Sequence, residues 1–83
     1  MKKVGYYKTY QMTIGESMRR AREKAEITAV ELSKRSGVDA WSIGQFELDR
    51  HLPRIDRLEL LADALGISID EYIGHEVKVR NKQ

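Results

Sequence analysis

The stretch from Thr28 to Glu47, T-A-V-E-L-S-K-R-S-G-V-D-A-W-S-I-G-Q-F-E, carries two helix starts separated by one glycine. Thr28, followed three residues later by Glu31, reads as a capping box, in which a hydroxyl and a carboxylate satisfy two of the amides that a first helical turn leaves unpaired. Gly37 stands where that helix must end, because glycine enters the left-handed conformation without a Cβ penalty. Asp39 caps a second helix. Ile43 and Phe46 share one side of it and point back at the first. Two short helices crossed at so tight a turn cannot enclose a core by themselves, so the rest of the chain must supply the surface they pack on.

That support reads as more short helices. Helix 1 begins after Thr13, with Glu16 completing a capping box, and Ile14, Met18, Ala21 and Ala25 form its apolar stripe. Helix 2 covers about Ala29 to Ser36, with Leu32 and Ser33 facing inward; Ser33 is small enough to let a crossing helix approach. Helix 3 covers about Ala40 to Leu48. Pro53 ends a loop, since proline suits a helix start and not its interior. Helix 4 follows, about Ile55 to Leu65, with Ile55, Leu58, Leu61, Ala62 and Leu65 on its buried face and Gly66 closing it. Ser68 and Glu71 form a further capping box for helix 5, about Ile69 to Ile73, which ends at Gly74. The expected fold is all-α, five short helices over residues 13–74. Residues 1–12 have no helical period; Val4, Tyr6, Tyr7 and Tyr10 favour a strand and Gly5 interrupts it. They form an N-terminal arm, either unstructured or paired with the basic tail 75–83, where Val77 and Val79 alternate with charged residues.

With 83 residues the chain is expected to be one domain, and 41% hydrophobic with 34% charged residues makes it globular rather than disordered. No apolar run approaches the roughly 20 residues of a membrane span, and no signal peptide is visible. The absence of cysteine excludes disulfides and thiolate metal sites and points to the cytoplasm. His51 and His75 are lone histidines without the converging ligands a metal needs, so neither metal nor cofactor is expected. A nucleophile–base pair, paired carboxylates and a glycine-rich phosphate loop are all lacking, which argues against an enzyme.

The net charge of +2 is small, but it is unevenly spread. Lys2, Lys3 and Lys8 stand in a segment without acids, whereas Asp56, Glu59, Asp63, Asp70 and Glu71 outnumber Arg54 and Arg57 further on. A polar molecule with one basic end attracts phosphates locally; the plain alternative is solvated surface. On helix 3, about 100° per residue places Ala40, Phe46 and Glu47 near Ile43, and Trp41 and Gln45 opposite. A helix-turn-helix that presents such a face enters the DNA major groove. Gln45 can pair with adenine, Ser42 can donate to a base or phosphate, and Trp41 offers apolar contact such as a thymine methyl. Backbone amides at Thr28 and Ala29, and at Ile55 and Asp56, are ready anion sites. Lys34, Arg35, Arg50, Arg54 and Arg57 stand near them as phosphate ligands or as ordinary surface.

From Ile14 to Ile73 the chain resembles the Cro/C1-type (XRE-type) helix-turn-helix family of phage and bacterial repressors. The matching stretches are I-G-E-S-M-R-R-A-R-E-K-A, I-T-A-V-E-L-S-K-R-S-G-V, S-I-G-Q-F-E and P-R-I-D-R-L-E-L-L-A-D-A-L-G-I-S-I-D-E-Y-I. The resemblance implies a five-helix, lambda-repressor-like domain that binds operator double-stranded DNA, usually as a homodimer on a two-fold-symmetric site. It puts Ala40, Trp41, Gly44 and Gln45 where the family reads bases, Ser42 where it contacts phosphate, and Arg50 and His51 in the loop that touches the DNA backbone. It also implies a partly buried ion pair between Arg22 and Glu47. The departures are Ala29 for a phosphate-binding Gln, Ser33 for Ala, Asp49 for Gly after helix 3, and Arg54 for the Ser or Thr that caps helix 4. A sequence-specific transcriptional regulator, a repressor, is the leading expectation. The alternative is a protein-interaction module of the same fold, an antirepressor or antitoxin, that uses Trp41 and Leu48 against another protein.

Overall fold

The computed structural model describes residues 12–74, and the expected arm (1–12, apart from Met12) and tail (75–83) lie outside them. Five helices follow one another: α1 (Ile14–Lys24), α2 (Ala29–Ser36), α3 (Ala40–Glu47), α4 (Ile55–Leu65) and α5 (Ile69–Ile73). There is no strand among the described residues. The α1 helix packs on α3 and α5, α2 on α3 and α4, and α4 on α5. Met18, Leu32, Ile43, Leu61 and Tyr72 are completely buried at the centre. Burying one such side chain contributes about 1.5–3 kcal/mol.

Local chemistry starts and stops these helices. Thr13 and Glu16 form a reciprocal capping box on α1. Thr28, Asp39 and Ser68 each accept a bond from the amide three residues on. At α2 the box is half made, because the Glu31 carboxylate turns forward to Arg35 Nε, 3.0 Å away, instead of back to the Thr28 amide. Gly37 and Gly66 end α2 and α4 with φ of 84° and 73°, where a side chain would be strained. Arg54 caps α4 without a side-chain bond.

Three expected core positions are corrected. Ile14 and Ala25 are exposed, and α1 instead buries Gly15 and Ser17 beside Met18 and Ala21. The reason is that α1 serves two neighbours, α3 and α5, so its inner face is broader than one stripe and carries small residues where backbones approach. The Ser17 hydroxyl donates to the Tyr72 carbonyl across that contact at 2.8 Å. Ile55 is 63% exposed, since the first residue of α4 lies outside the core.

A clasp joins the loop after α3 to the start of α1. Asp49 adopts φ of 60° and its carboxylate accepts from the Gly15 amide at 2.9 Å and from the Thr13 hydroxyl at 2.6 Å. A Cβ on Gly15 would sit 2.5 Å from the Phe46 carbonyl oxygen, so only glycine fits there.

Candidate nucleic-acid interface

The crossing of α2 and α3 sets out which face of α3 is free. Ile43, Phe46 and Glu47 are buried, Ala40 and Gly44 are half-buried, and Trp41 is 66% exposed with Gln45 beside it. A Cβ added at Gly44 would meet nothing within 4 Å, so the glycine leaves open space on the outer face.

The tilt of α3 is held from behind. Glu47 receives two bonds from Arg22, Nε to Oε2 at 2.9 Å and the second guanidinium nitrogen to Oε1 at 3.0 Å. The third nitrogen of Arg22 donates to the Ile27 carbonyl at 2.9 Å. The side chains are 15% and 6% exposed, so this fork joins α1 to α3 largely out of water. The hydrogen bonds that Arg22 donates to Glu47 raise its pKa further above its ordinary value, against the opposing effect of burial.

In front, the α3–α4 loop folds back so that Trp41, Ser42, Gln45, His51, Arg54 and Arg57 line an open groove of about 200 Å³. The Trp41 and His51 rings lie 5.8 Å apart at 57°, which braces the exposed indole. The Arg50 amide donates to the Gln45 carbonyl at 2.9 Å and anchors the loop. Sequence reasoning placed Trp41 and His51 near DNA but not against each other, because the contact joins a helix to a loop ten positions on.

The other candidate ligands are unevenly available. Arg50 and Arg54 are exposed and Arg57 is half-buried, while Lys34 is exposed on α2. Arg35 is held by Glu31. Ser42 is committed inward: its amide and its hydroxyl donate to the two Asp39 carboxylate oxygens at 2.8 and 2.9 Å, leaving lone pairs but no free proton. Those bonds, with help from the Arg57 charge, hold the Asp39 carboxyl below the usual carboxylate range. Thr28 spends its hydroxyl on the Glu31 amide, and Ala29 packs half-buried on the core. Of the first-turn amides, that of Glu31 in α2 donates to the Thr28 hydroxyl and that of Arg57 in α4 to the Arg54 carbonyl and the Asp56 carboxylate, so those of Ala29 and Val30 and of Ile55 and Asp56 remain for an anion. Among the described residues no group of three or more potential ligands could hold a metal.

Sequence reasoning missed the Asp49 clasp. Its signal was Gly15, a glycine in the first turn of a helix that has no conformational need for one.

A family model described as helix-turn-helix matches residues 18–72. The chain belongs to the Cro/C1-type helix-turn-helix family. It is 29% identical over 72 residues to the immunity repressor protein of Bacillus phage phi105, an alignment covering 87% of this chain and 50% of that protein. The chain therefore spans about half the length of this relative. The fold matches the P22 c2 repressor protein, solved in complex with synthetic operator 9T in the presence of Tl+, with a TM-score of 0.69 and 32% identity over 76% of this chain and 96% of that one. Its fold is the five-helix, lambda-repressor-like one.

Proposed function

We propose that this chain is the DNA-binding domain of a cytoplasmic transcriptional repressor that binds operator double-stranded DNA as a homodimer, with α3 in the major groove and no catalysis. The observation that carries the reading is the free face of α3, Trp41 and Gln45 beside open space at Gly44, with Arg54 and Arg57 lining the same groove and Arg50 exposed on the loop that follows α3. That is a base-reading helix with phosphate ligands on its flank. Both relatives named above are phage repressors, and one was solved on an operator.

In this reading Ala40, Trp41, Gly44 and Gln45 face base edges, and Gln45 pairs with an adenine. Arg50, His51, Arg54, Arg57 and Lys34 take phosphates, with the amides of Thr28 and Ala29 at the other end. Ser42 contributes by accepting a bond or by releasing Asp39, and Arg35 by releasing Glu31. Fluorescence anisotropy on duplexes selected from a randomised pool, at several salt concentrations, tests this; no salt-dependent binding to any selected duplex refutes it.

The exposure of Trp41, Leu48 and Leu52, at 66%, 54% and 78%, favours a second reading in which this face grips another protein. A Trp41→Ala variant that loses a protein complex and keeps operator affinity would establish that reading instead.

A further inference from the structure

Trp41 is the second residue of α3 and is 66% exposed. The helix gives its indole little lateral support, because the neighbour three positions on is Gly44, where a Cβ would meet nothing within 4 Å. A side chain at such a place has several staggered orientations open to it. The ring that meets the indole comes from outside the helix: His51, 5.8 Å away and tilted by 57°. That ring stands on an anchored loop. The Arg50 and His51 amides both donate to the Gln45 carbonyl, at 2.9 and 3.4 Å. Two positions before His51, the Asp49 carboxylate is tied to the Gly15 amide and the Thr13 hydroxyl. None of these anchors uses the imidazole, which is left to act on the indole.

The geometry points to His51 as a positioning residue that fixes the orientation of Trp41 and thereby sets which base the indole accepts, a role separate from any contact with phosphate. The inference rests on the operator reading of α3. Aromatic pairs favour particular tilts, and one such pair shifts an orientation equilibrium by about two- to tenfold. Readout of a base depends on where the side chain meets the groove floor, whereas a phosphate contact is blind to sequence. A residue that acts through Trp41 must therefore change the preference at one base pair, and a phosphate ligand must weaken all duplexes alike.

The test uses the full 83-residue chain and duplexes selected from a randomised pool. Trp41→Ala marks the base pair that the indole reads, as the position where preference is lost. His51→Ala should lower the preference at that same pair by about two- to tenfold, a ratio from which any uniform loss of affinity cancels. In the Trp41→Ala background it should lower it no further, because residues that act as one unit are not additive. His51→Phe keeps a ring and should retain the preference, while His51→Lys keeps a cation without a ring and should lose it. Trp41 is the one tryptophan of the chain, so its fluorescence reads the brace without DNA. His51→Ala should raise acrylamide quenching and lower the anisotropy of the indole, and His51→Phe should restore both; far-UV circular dichroism checks that each variant is folded. A preference unchanged by His51→Ala or kept by His51→Lys overturns the proposal, as do a Trp41→Ala variant with full preference and an indole no more mobile without the histidine. No enriched duplex at all would refute the operator reading, whereas duplexes bound with an unaltered ratio would refute the positioning role alone.

Discussion

Replacing Glu47 by alanine removes both bonds that reach the Arg22 fork and leaves the guanidinium only the Ile27 carbonyl. The Arg22 side chain is 15% exposed, so water cannot take over the lost carboxylate. Stranding one partner of a buried pair costs about 3–5 kcal/mol. A domain of this size loses about 4–8 °C of Tm per kcal/mol, which gives a fall of about 12–40 °C. Total stability is about 5–15 kcal/mol, so the variant is folded only marginally. Removing both charges with Arg22→Met and Glu47→Leu leaves no stranded ion and should recover most of the loss. Thermal and urea unfolding followed by circular dichroism read both. A loss under about 1 kcal/mol for Glu47→Ala would mean that the pair is effectively solvated. A double variant as unstable as the single one would assign the cost to packing rather than to charge. Because the fork joins the last turn of α3 to α1, the stable double variant should still bind DNA more weakly if the tilt of α3 matters.

Gly15→Ala puts a Cβ against the Phe46 carbonyl and the Asp49 carboxylate, and should cost about 1–3 kcal/mol in urea unfolding. Asp49→Ala loses the clasp and keeps the left-handed strain, whereas Asp49→Gly loses only the clasp and should be the milder change. Tyr72 is fully buried and its hydroxyl has no hydrogen-bond partner among the described residues, and burial pushes the phenol above its ordinary range. Tyr72→Phe should therefore leave stability unchanged or raise it by about 1 kcal/mol, and a clear loss would reveal a bridging water. The Asp39 carboxyl is held below its unfolded value, so the stability it adds is present above about pH 4 and fades as pH falls through the folded pKa. Asp39→Asn should flatten that acid limb in urea melts across pH. Under the operator reading, Arg57→Ala should weaken all duplexes alike and lower the salt slope by about one, while Gln45→Ala should cost about 1–3 kcal/mol on the selected operator alone.

The helix ends were legible because capping is local. A hydroxyl or carboxylate at the cap bonds an amide three residues away, and glycine enters the left-handed region wherever it stands, so Thr13, Thr28, Asp39, Ser68, Gly37 and Gly66 could be read without knowing what packs on what. The free face of α3 was legible for a similar reason, since Ile43 and Phe46 fix the inner side and Trp41 and Gln45 must lie opposite. Ile14, Ala25 and Ile55 were misread because periodicity gives the direction of a stripe but neither its width nor how far the core reaches along it.

By itself, then, the sequence determined five capped helices, their order, and the face of α3 that remains free, all of which depend on neighbours within one or two turns. Only the tertiary structure decided that Asp49 holds the first turn of α1 and that His51 braces Trp41. It also brought Lys24 and Glu71 to opposite rims of one groove. These pairs stand ten to almost fifty positions apart, where chain geometry carries no memory of spacing and only the packing of the helices and of the α3–α4 loop brings them near one another.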